Sequence, residues 1–205
     1  MFSSGKIILN RNVRNIWYNI IKNRFLSEKT NLSCLSTAGN PHFFHTFQLS
    51  DGSLVNVNIV DTAGQEKYKS LNSQYYKKAD GCLLVYDITK RQTFEEIKNY
   101  FYEQMQEKCK KDIKVIVLGN KTDLEQDREV STEEGSNFAS DKEFMFLETS
   151  CLQNKFVSDG FETLIELTYR DAIEKNMINP SDKRISINKA SKSKKNKIVC
   201  CWNYF

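Results

Sequence analysis

The chain has 205 residues, 40% apolar and 27% charged, with a formal net charge of +4. That length fits one domain with a tail, and the composition is too apolar for a wholly disordered chain. Its apolar runs are short, as in Cys82-Leu83-Leu84-Val85-Tyr86, which excludes a bilayer-spanning helix, and the start MFSSGKIILNRN lacks the pattern of a secretory leader.

Strand-like and helical patterns alternate along the chain. KIILN (6–10) reads as a strand, after which Trp17, Ile20, Ile21 and Phe25 fall on one helical face. The stretch 45–61 places Asp51-Gly52 between two β-rich runs, the strongest short hairpin signal. GCLLVYD (81–87) and IKVIVLGN (113–120) are continuous apolar runs of the kind buried on both faces of a sheet. Between them Phe94, Ile97, Phe101 and Met105 recur at helical spacing. EFMFLET (143–149) predicts a last strand, and Phe161, Leu164, Ile165 and Thr168 a last helix. The pattern implies an α/β fold: a three-layer, mostly parallel six-stranded sheet with one antiparallel hairpin and helices on both faces.

After Asn179-Pro180 the composition turns to Ser, Asn and Lys. The chain therefore divides into a domain over residues 1–180 and a flexible basic tail over 181–205. The tail holds seven basic side chains (Lys183, Arg184, Lys189, Lys192, Lys194, Lys195, Lys197) against Asp182 alone, while the first 180 residues carry 23 basic and 25 acidic. A slightly acidic body argues against nucleic acid as the partner. Cys34, Cys82, Cys109 and Cys151 stand singly, without disulfide or zinc spacing, as expected in a reducing compartment. His42 and His45 have no partners at ligand spacing and read as structural; Tyr75 and Tyr76 read as packing residues.

In such a sheet, ligands lie outside the carboxyl ends of the strands. After the third strand stands Asp61-Thr62-Ala63-Gly64-Gln65-Glu66. A carboxylate there suits a hard cation, the Gly64 N–H can approach a phosphate closely, and the Gln65 amide can hold a water in line for attack. After the fifth strand stands Asn120-Lys121-Thr122-Asp123, where the Asp123 carboxylate can take both the ring N–H and the exocyclic amine of guanine. After the sixth, Thr149-Ser150-Cys151 offers small residues whose backbone N–H groups can meet the base carbonyl. Each motif is weak alone; their order at consecutive strand ends is the signal.

With these motifs, and with KYKSLNSQYYKKADGCLLVYDIT (67–89), the chain resembles the Rab family of Ras-superfamily small GTPases from about Thr37 to Glu174. The resemblance implies GTP or GDP with Mg²⁺ as ligands, and hydrolysis of GTP to GDP and phosphate. Gln65 would be catalytic; Gly64, Asn120, Lys121, Asp123, Ser150 and Cys151 would bind nucleotide; Thr37 and Asp61 would serve the metal. It implies a monomeric switch in vesicle traffic at the cytoplasmic face of an intracellular membrane, cycling with the cytosol and meeting effectors, exchange factors and GTPase-activating proteins. Cys200-Cys201 at the end of the basic tail resembles a double prenylation signal, although Trp202-Asn203-Tyr204-Phe205 follow it.

The pattern breaks before residue 42. Where the family has strand, G-x-x-x-x-G-K-[ST], helix, this chain has Asn10-Arg11-Asn12-Val13-Arg14-Asn15-Ile16, and no glycine lies between Gly5 and Gly39. Asn15 and Ile16 replace the phosphate lysine and the metal hydroxyl; Arg11 and Arg14 are the nearby cations. Ala38, Asn40 and Pro41 depart from the first-switch pattern, and Leu152 stands where the family has lysine. Two explanations fit: a chain that lost nucleotide chemistry and kept the fold as a membrane-anchored binding module, or an N-terminal sequence that departs from that of an ordinary GTPase through an imperfect gene model.

Overall fold

The computed structural model describes residues 4–9, 42–61 and 76–177. Six strands form one sheet: β1 (Ser4–Leu9), β2 (His42–Gln48), β3 (Leu54–Asp61), β4 (Gly81–Asp87), β5 (Lys114–Asn120) and β6 (Met145–Thr149). Their order across the sheet is β2-β3-β1-β4-β5-β6, and every pairing is parallel except β2 with β3. All seven residues of β4 are buried, as a central parallel strand covered on both faces requires. Register puts Leu9 beside Asp61 and Leu83, and aligns Asp87, Asn120 and Thr149 across β4, β5 and β6. The carboxyl ends of these three strands thus form one rim.

The hairpin forms where Asp51-Gly52 marks it, with β2 antiparallel to β3. The Leu49 N–H donates to the Ser53 carbonyl at 2.8 Å and the Gly52 N–H to the Leu49 carbonyl at 2.9 Å, so the loop has three residues, Ser50, Asp51 and Gly52. Only Gly52 has positive φ, at 80°. A two-residue type I′ turn needs positive φ at both central positions, which Asp51 does not adopt; the glycine instead takes the left-handed place that closes a three-residue loop. The Asp51 carboxylate accepts from the Ser53 N–H and hydroxyl, both at 2.8 Å, fixing the turn.

Helices cover both faces. On one, α1 (Arg91–Glu96) continues through a π-helical turn (Ile97–Phe101) into α2 (Tyr102–Lys108), with Phe94, Ile97, Phe101 and Met105 buried as their spacing predicts. The same face carries α3 (Thr132–Asp141). Tyr86 of β4 meets Phe94 in a tilted pair at 4.8 Å between centroids, and Phe94 meets Phe138 of α3 edge-on at 5.7 Å. On the opposite face, α4 (Val157–Glu174) buries Phe161, Leu164, Ile165 and Thr168. A Cβ at Gly81 would lie 2.9 Å from Thr168 Cγ2, so that glycine sets how closely α4 approaches β4. Tyr169 donates its hydroxyl to Ser53 Oγ at 3.0 Å, tying α4 to the hairpin.

Sequence reading missed α3, whose segment TEEGSNFASD has too few apolar residues to show a stripe. Its signal is the start: Ser131 caps the helix by accepting the Glu134 N–H at 3.1 Å, in the Ser-x-x-Glu pattern of a capping box. The last strand begins at Met145 rather than residue 143, because Glu143 takes φ 57° in the turn that ends α3. The first strand spans Ser4–Leu9, and Asn10, its expected end, lies outside the described residues, as does the expected helix through Trp17 and Phe25. Tyr76 is buried, as expected of a packing residue.

Candidate functional site

At the rim, Asp87 ends β4 and is only 5% exposed. Its Oδ1 accepts from the Thr89 N–H at 3.0 Å and the Thr89 hydroxyl at 2.7 Å, and its Oδ2 pairs with the Lys121 ammonium. Burial pushes this carboxyl up, but the Lys121 and Thr89 bonds together outweigh it and hold the group below its ordinary value. Lys121 itself has φ 75°, a left-handed backbone that turns the chain sharply out of β5 into the short 3₁₀ segment Thr122–Asp127. The ion pair therefore anchors a strained turn to the neighbouring strand.

Asn120 ends β5 and is 1% exposed. Its Oδ1 accepts from the Thr149 hydroxyl at 3.2 Å and from the Cys151 thiol at 3.1 Å, while its Nδ2 makes no hydrogen bond among the described residues. Asp123 receives the Ser150 hydroxyl on Oδ1 at 2.5 Å, and its other oxygen accepts nothing from the described residues. Ser150 Oγ also accepts the Gln153 N–H at 3.0 Å, so one hydroxyl links the two loops. Burial, with the Asp123 charge adding to it, pushes the Cys151 thiol up to about 12, so it stays protonated.

The rim thus brings together Asn120, Lys121, Asp123, Ser150 and Cys151 of the sequence-predicted set. One expectation is corrected in part: the Ser150 N–H is spent on the Lys155 carbonyl at 3.1 Å, because Ser150 and Lys155 form a small antiparallel bridge. Of that pair of N–H groups only Cys151's remains without a partner among the described residues. Asp61 is the last residue of β3, beside Leu9. Thr37, Gly64, Gln65, Cys200 and Cys201 lie outside the described residues, as do the 10–16 segment and the basic tail. Asp87 was missed by sequence reasoning, although a carboxylate directly after an apolar strand was the available signal. Leu152 is 83% exposed on the loop after Cys151.

Comparison with known proteins decides the family. The family model described as "Ras family" matches residues 18–170. The chain is 38% identical over 159 residues to the Ras-related protein RABA4b of Arabidopsis thaliana, covering 78% of this chain and 70% of that protein. It is 36% identical over 187 residues to the Ras-related protein RABA1b of the same plant, covering 88% and 86%. Against the Ras-related protein Rab11A of Lotus japonicus it is 39% identical over 154 residues, covering 75% and 67%. The chain belongs to the Rab family of Ras-superfamily small GTPases. Its sheet, with one antiparallel hairpin and helices on both faces, is that family's α/β fold.

The rim suits the guanine nucleotide that Rab membership implies. Guanine presents two adjacent N–H donors and one carbonyl acceptor along one edge, whereas adenine has no ring N–H there. The open Asp123 oxygen and the Cys151 N–H are one acceptor and one donor on half-buried residues, and the buried Asn120 Nδ2 is a second donor, without a partner among the described residues. A buried polar group without a partner is costly, and a ligand that fills it recovers that cost. Among the described residues no group of three His, Cys, Asp or Glu side chains is arranged around a metal.

Proposed function

We propose that this chain is a Rab-type guanine-nucleotide switch in vesicle traffic, acting on the cytoplasmic face of an intracellular membrane. The observation that carries the reading is the Asp123 carboxylate, fixed through one oxygen by Ser150 and open through the other. On this reading Asp123 selects guanine, Asn120 and the Cys151 N–H add donors to the base, and Ser150 and Lys121 hold the two loops in place. Bound GTP supplies the γ-phosphoryl group, with Mg²⁺ to neutralise its charge. Thr37 and Asp61 are assigned to the metal, the Gly64 N–H to the phosphate, and Gln65 to orienting the attacking water, all by family pattern. Effectors, exchange factors and GTPase-activating proteins are the protein partners, and the domain over 1–180 works as a monomer.

The phosphate side is weaker. Asn15 supplies no ammonium and Ile16 no oxygen, and side chains at Asn12 and Arg14 disfavour the glycine-type backbone that cradles phosphates. Losing two charge-assisted bonds at ~1.5–3 kcal/mol each lowers affinity by roughly two to four decades. Turnover is expected to be slow as well, since phosphoryl transfer relies on positioning and charge stabilisation. For the tail we propose geranylgeranyl groups on Cys200 and Cys201, because stable anchoring takes two lipids, with each lysine adding ~1 kcal/mol near an anionic leaflet.

The test is displacement of labelled GDP from the purified chain by GTP and by ATP, at up to high micromolar concentration with Mg²⁺. Displacement by GTP and not by ATP is expected. Absence of saturable GDP binding refutes the switch. A companion protein carrying Asn12→Gly, Arg14→Gly, Asn15→Lys and Ile16→Thr should release phosphate faster in a single turnover; equal rates would refute the reading of the 10–16 segment. The substitutions in that segment also favour a second reading, a membrane-anchored scaffold indifferent to nucleotide. It requires a partner held equally with GDP and with a GTP analogue, and a silent Gln65→Leu.

A further inference from the structure

The rim contains one polar contact that the guanine-binding reading does not use. The Cys151 side chain is a second group on the Asn120 amide, beside the Thr149 hydroxyl, and both donors end on the same oxygen. A carbonyl oxygen has two lone pairs, so these two donors fill it. Asn120 and Thr149 are buried, so neither has water as a substitute partner.

An asparagine amide can turn about its last torsion and exchange its oxygen with its nitrogen. In the exchanged state the NH₂ group would face the Thr149 hydroxyl and the Cys151 thiol, and both of their protons would need new acceptors, the Thr149 proton in a buried place. Two donors on one side therefore set the direction of the amide more firmly than one hydroxyl, which donates and accepts equally well. The orientation seen leaves Nδ2 without a partner.

We infer that the Cys151 thiol, together with the Thr149 hydroxyl, holds the Asn120 amide in the orientation that keeps its N–H groups open for the nucleotide. Cys151 is then a positioning residue, acting through Asn120 by its S–H and not as a nucleophile. The thiol's protonated state agrees with that role, because only the S–H form donates. The inference rests on the guanine-binding reading above and adds to it a side-chain role for a residue whose backbone alone was expected to matter.

The experiment uses the full chain, loaded with N-methylanthraniloyl-GDP and chased with excess GDP in a stopped-flow instrument. Wild type, Cys151→Ala and Cys151→Ser are compared, with a thermal melt of each. Cys151→Ala removes the donor and should release nucleotide about two- to fivefold faster, the effect of one neutral hydrogen bond. Cys151→Ser keeps a donor and should stay within about twofold of wild type. A merely structural role would follow the melting temperature instead, and serine in place of a half-buried thiol packed on the core would not rescue it. Release from Cys151→Ala at the wild-type rate, or from Cys151→Ser as fast as from Cys151→Ala, overturns the inference while leaving guanine binding intact. No saturable binding of labelled GDP by the wild-type chain overturns both.

Discussion

Lys121→Met tests the joint between the two loops and β4. The substitution keeps most of the stem but removes the ammonium from Asp87, a carboxylate 5% exposed. Methionine meets the same left-handed backbone as lysine, so that strain cancels in the comparison. Removing one partner of a buried pair costs ~3–5 kcal/mol. Here the Lys121 side chain is 31% exposed and Thr89 still gives Asp87 two hydrogen bonds, so screening and the remaining donors reduce the loss to about 2–3 kcal/mol. Asp87→Asn should cost less, about 1 kcal/mol, because asparagine can still accept from Thr89 and the freed ammonium can turn to solvent. The pH dependence follows from the direction of the shift. In the wild type the folded carboxyl lies below its unfolded value, so its stabilisation is present above the unfolded value and is lost as pH falls through the folded one. In Lys121→Met the main opposing bond is gone and burial moves the group upward. The stability gap should therefore be smallest below the wild-type folded value, widen as pH rises between the two folded values, and level off above that of the variant, over a range of about pH 3 to about pH 7 that encloses the ordinary carboxylate value. Urea unfolding of both proteins by circular dichroism across that range measures it. A gap that is the same at both ends, or absent, would refute the account of the pair.

Ser131→Ala removes the cap of α3 and should lower stability by ~1 kcal/mol in the same assay. Gly135→Ala places a Cβ against Tyr86 Oη and 2.8 Å from Phe146 Cε2; an overpacking cost of ~1–3 kcal/mol, less the ~1 kcal/mol gained by alanine in a helix, leaves a net loss. Tyr86→Phe should be neutral or stabilising, since that hydroxyl is buried with no hydrogen bond among the described residues, and it should recover part of the Gly135→Ala loss in the double variant. With its thiol raised to about 12, Cys151 should alkylate more slowly than a free cysteine at pH 7 and remain slow past pH ~9, read by peptide mass spectrometry.

The elements legible in the sequence were those whose burial leaves a periodic trace. β4 reads directly because all its residues are buried, and α4 because Phe161, Leu164, Ile165 and Thr168 share a stripe. What escaped was local. The α3 segment packs through little more than Phe138, Ala139 and the absence of a side chain at Gly135, and an absent side chain has no periodicity. The Asp51-Gly52 pair marked the hairpin correctly, but loop length depends on which residue takes positive φ, and here only the glycine does. In the site, residue types and order pointed to Asn120, Asp123 and Ser150. The competition between partners was invisible: whether the Ser150 N–H is free depends on Lys155, five residues on, folding back against it. The Asp87–Lys121 pair joins residues 34 positions apart and appears only when β4 and β5 stand side by side.

These bonds bear on how the two halves of the proposed nucleotide site relate. Ser150 on Asp123, Thr149 and Cys151 on Asn120, and Asp87 on Lys121 all lie within β4–β6 and the loops that follow them. Each of them joins one described residue to another. Each of these rim groups is held by a side chain from a neighbouring strand or its loop, so the arrangement is set by the protein itself. Under the proposed reading, the changes at Asn12, Arg14, Asn15 and Ile16 then act on affinity and turnover while leaving the choice of base to Asp123. A base is discriminated by the difference between two binding energies, and a phosphate contact contributes equally to guanine and adenine nucleotides, so it cancels in that difference. The preference for guanine over adenine should therefore survive in this chain even where the absolute affinity falls by decades.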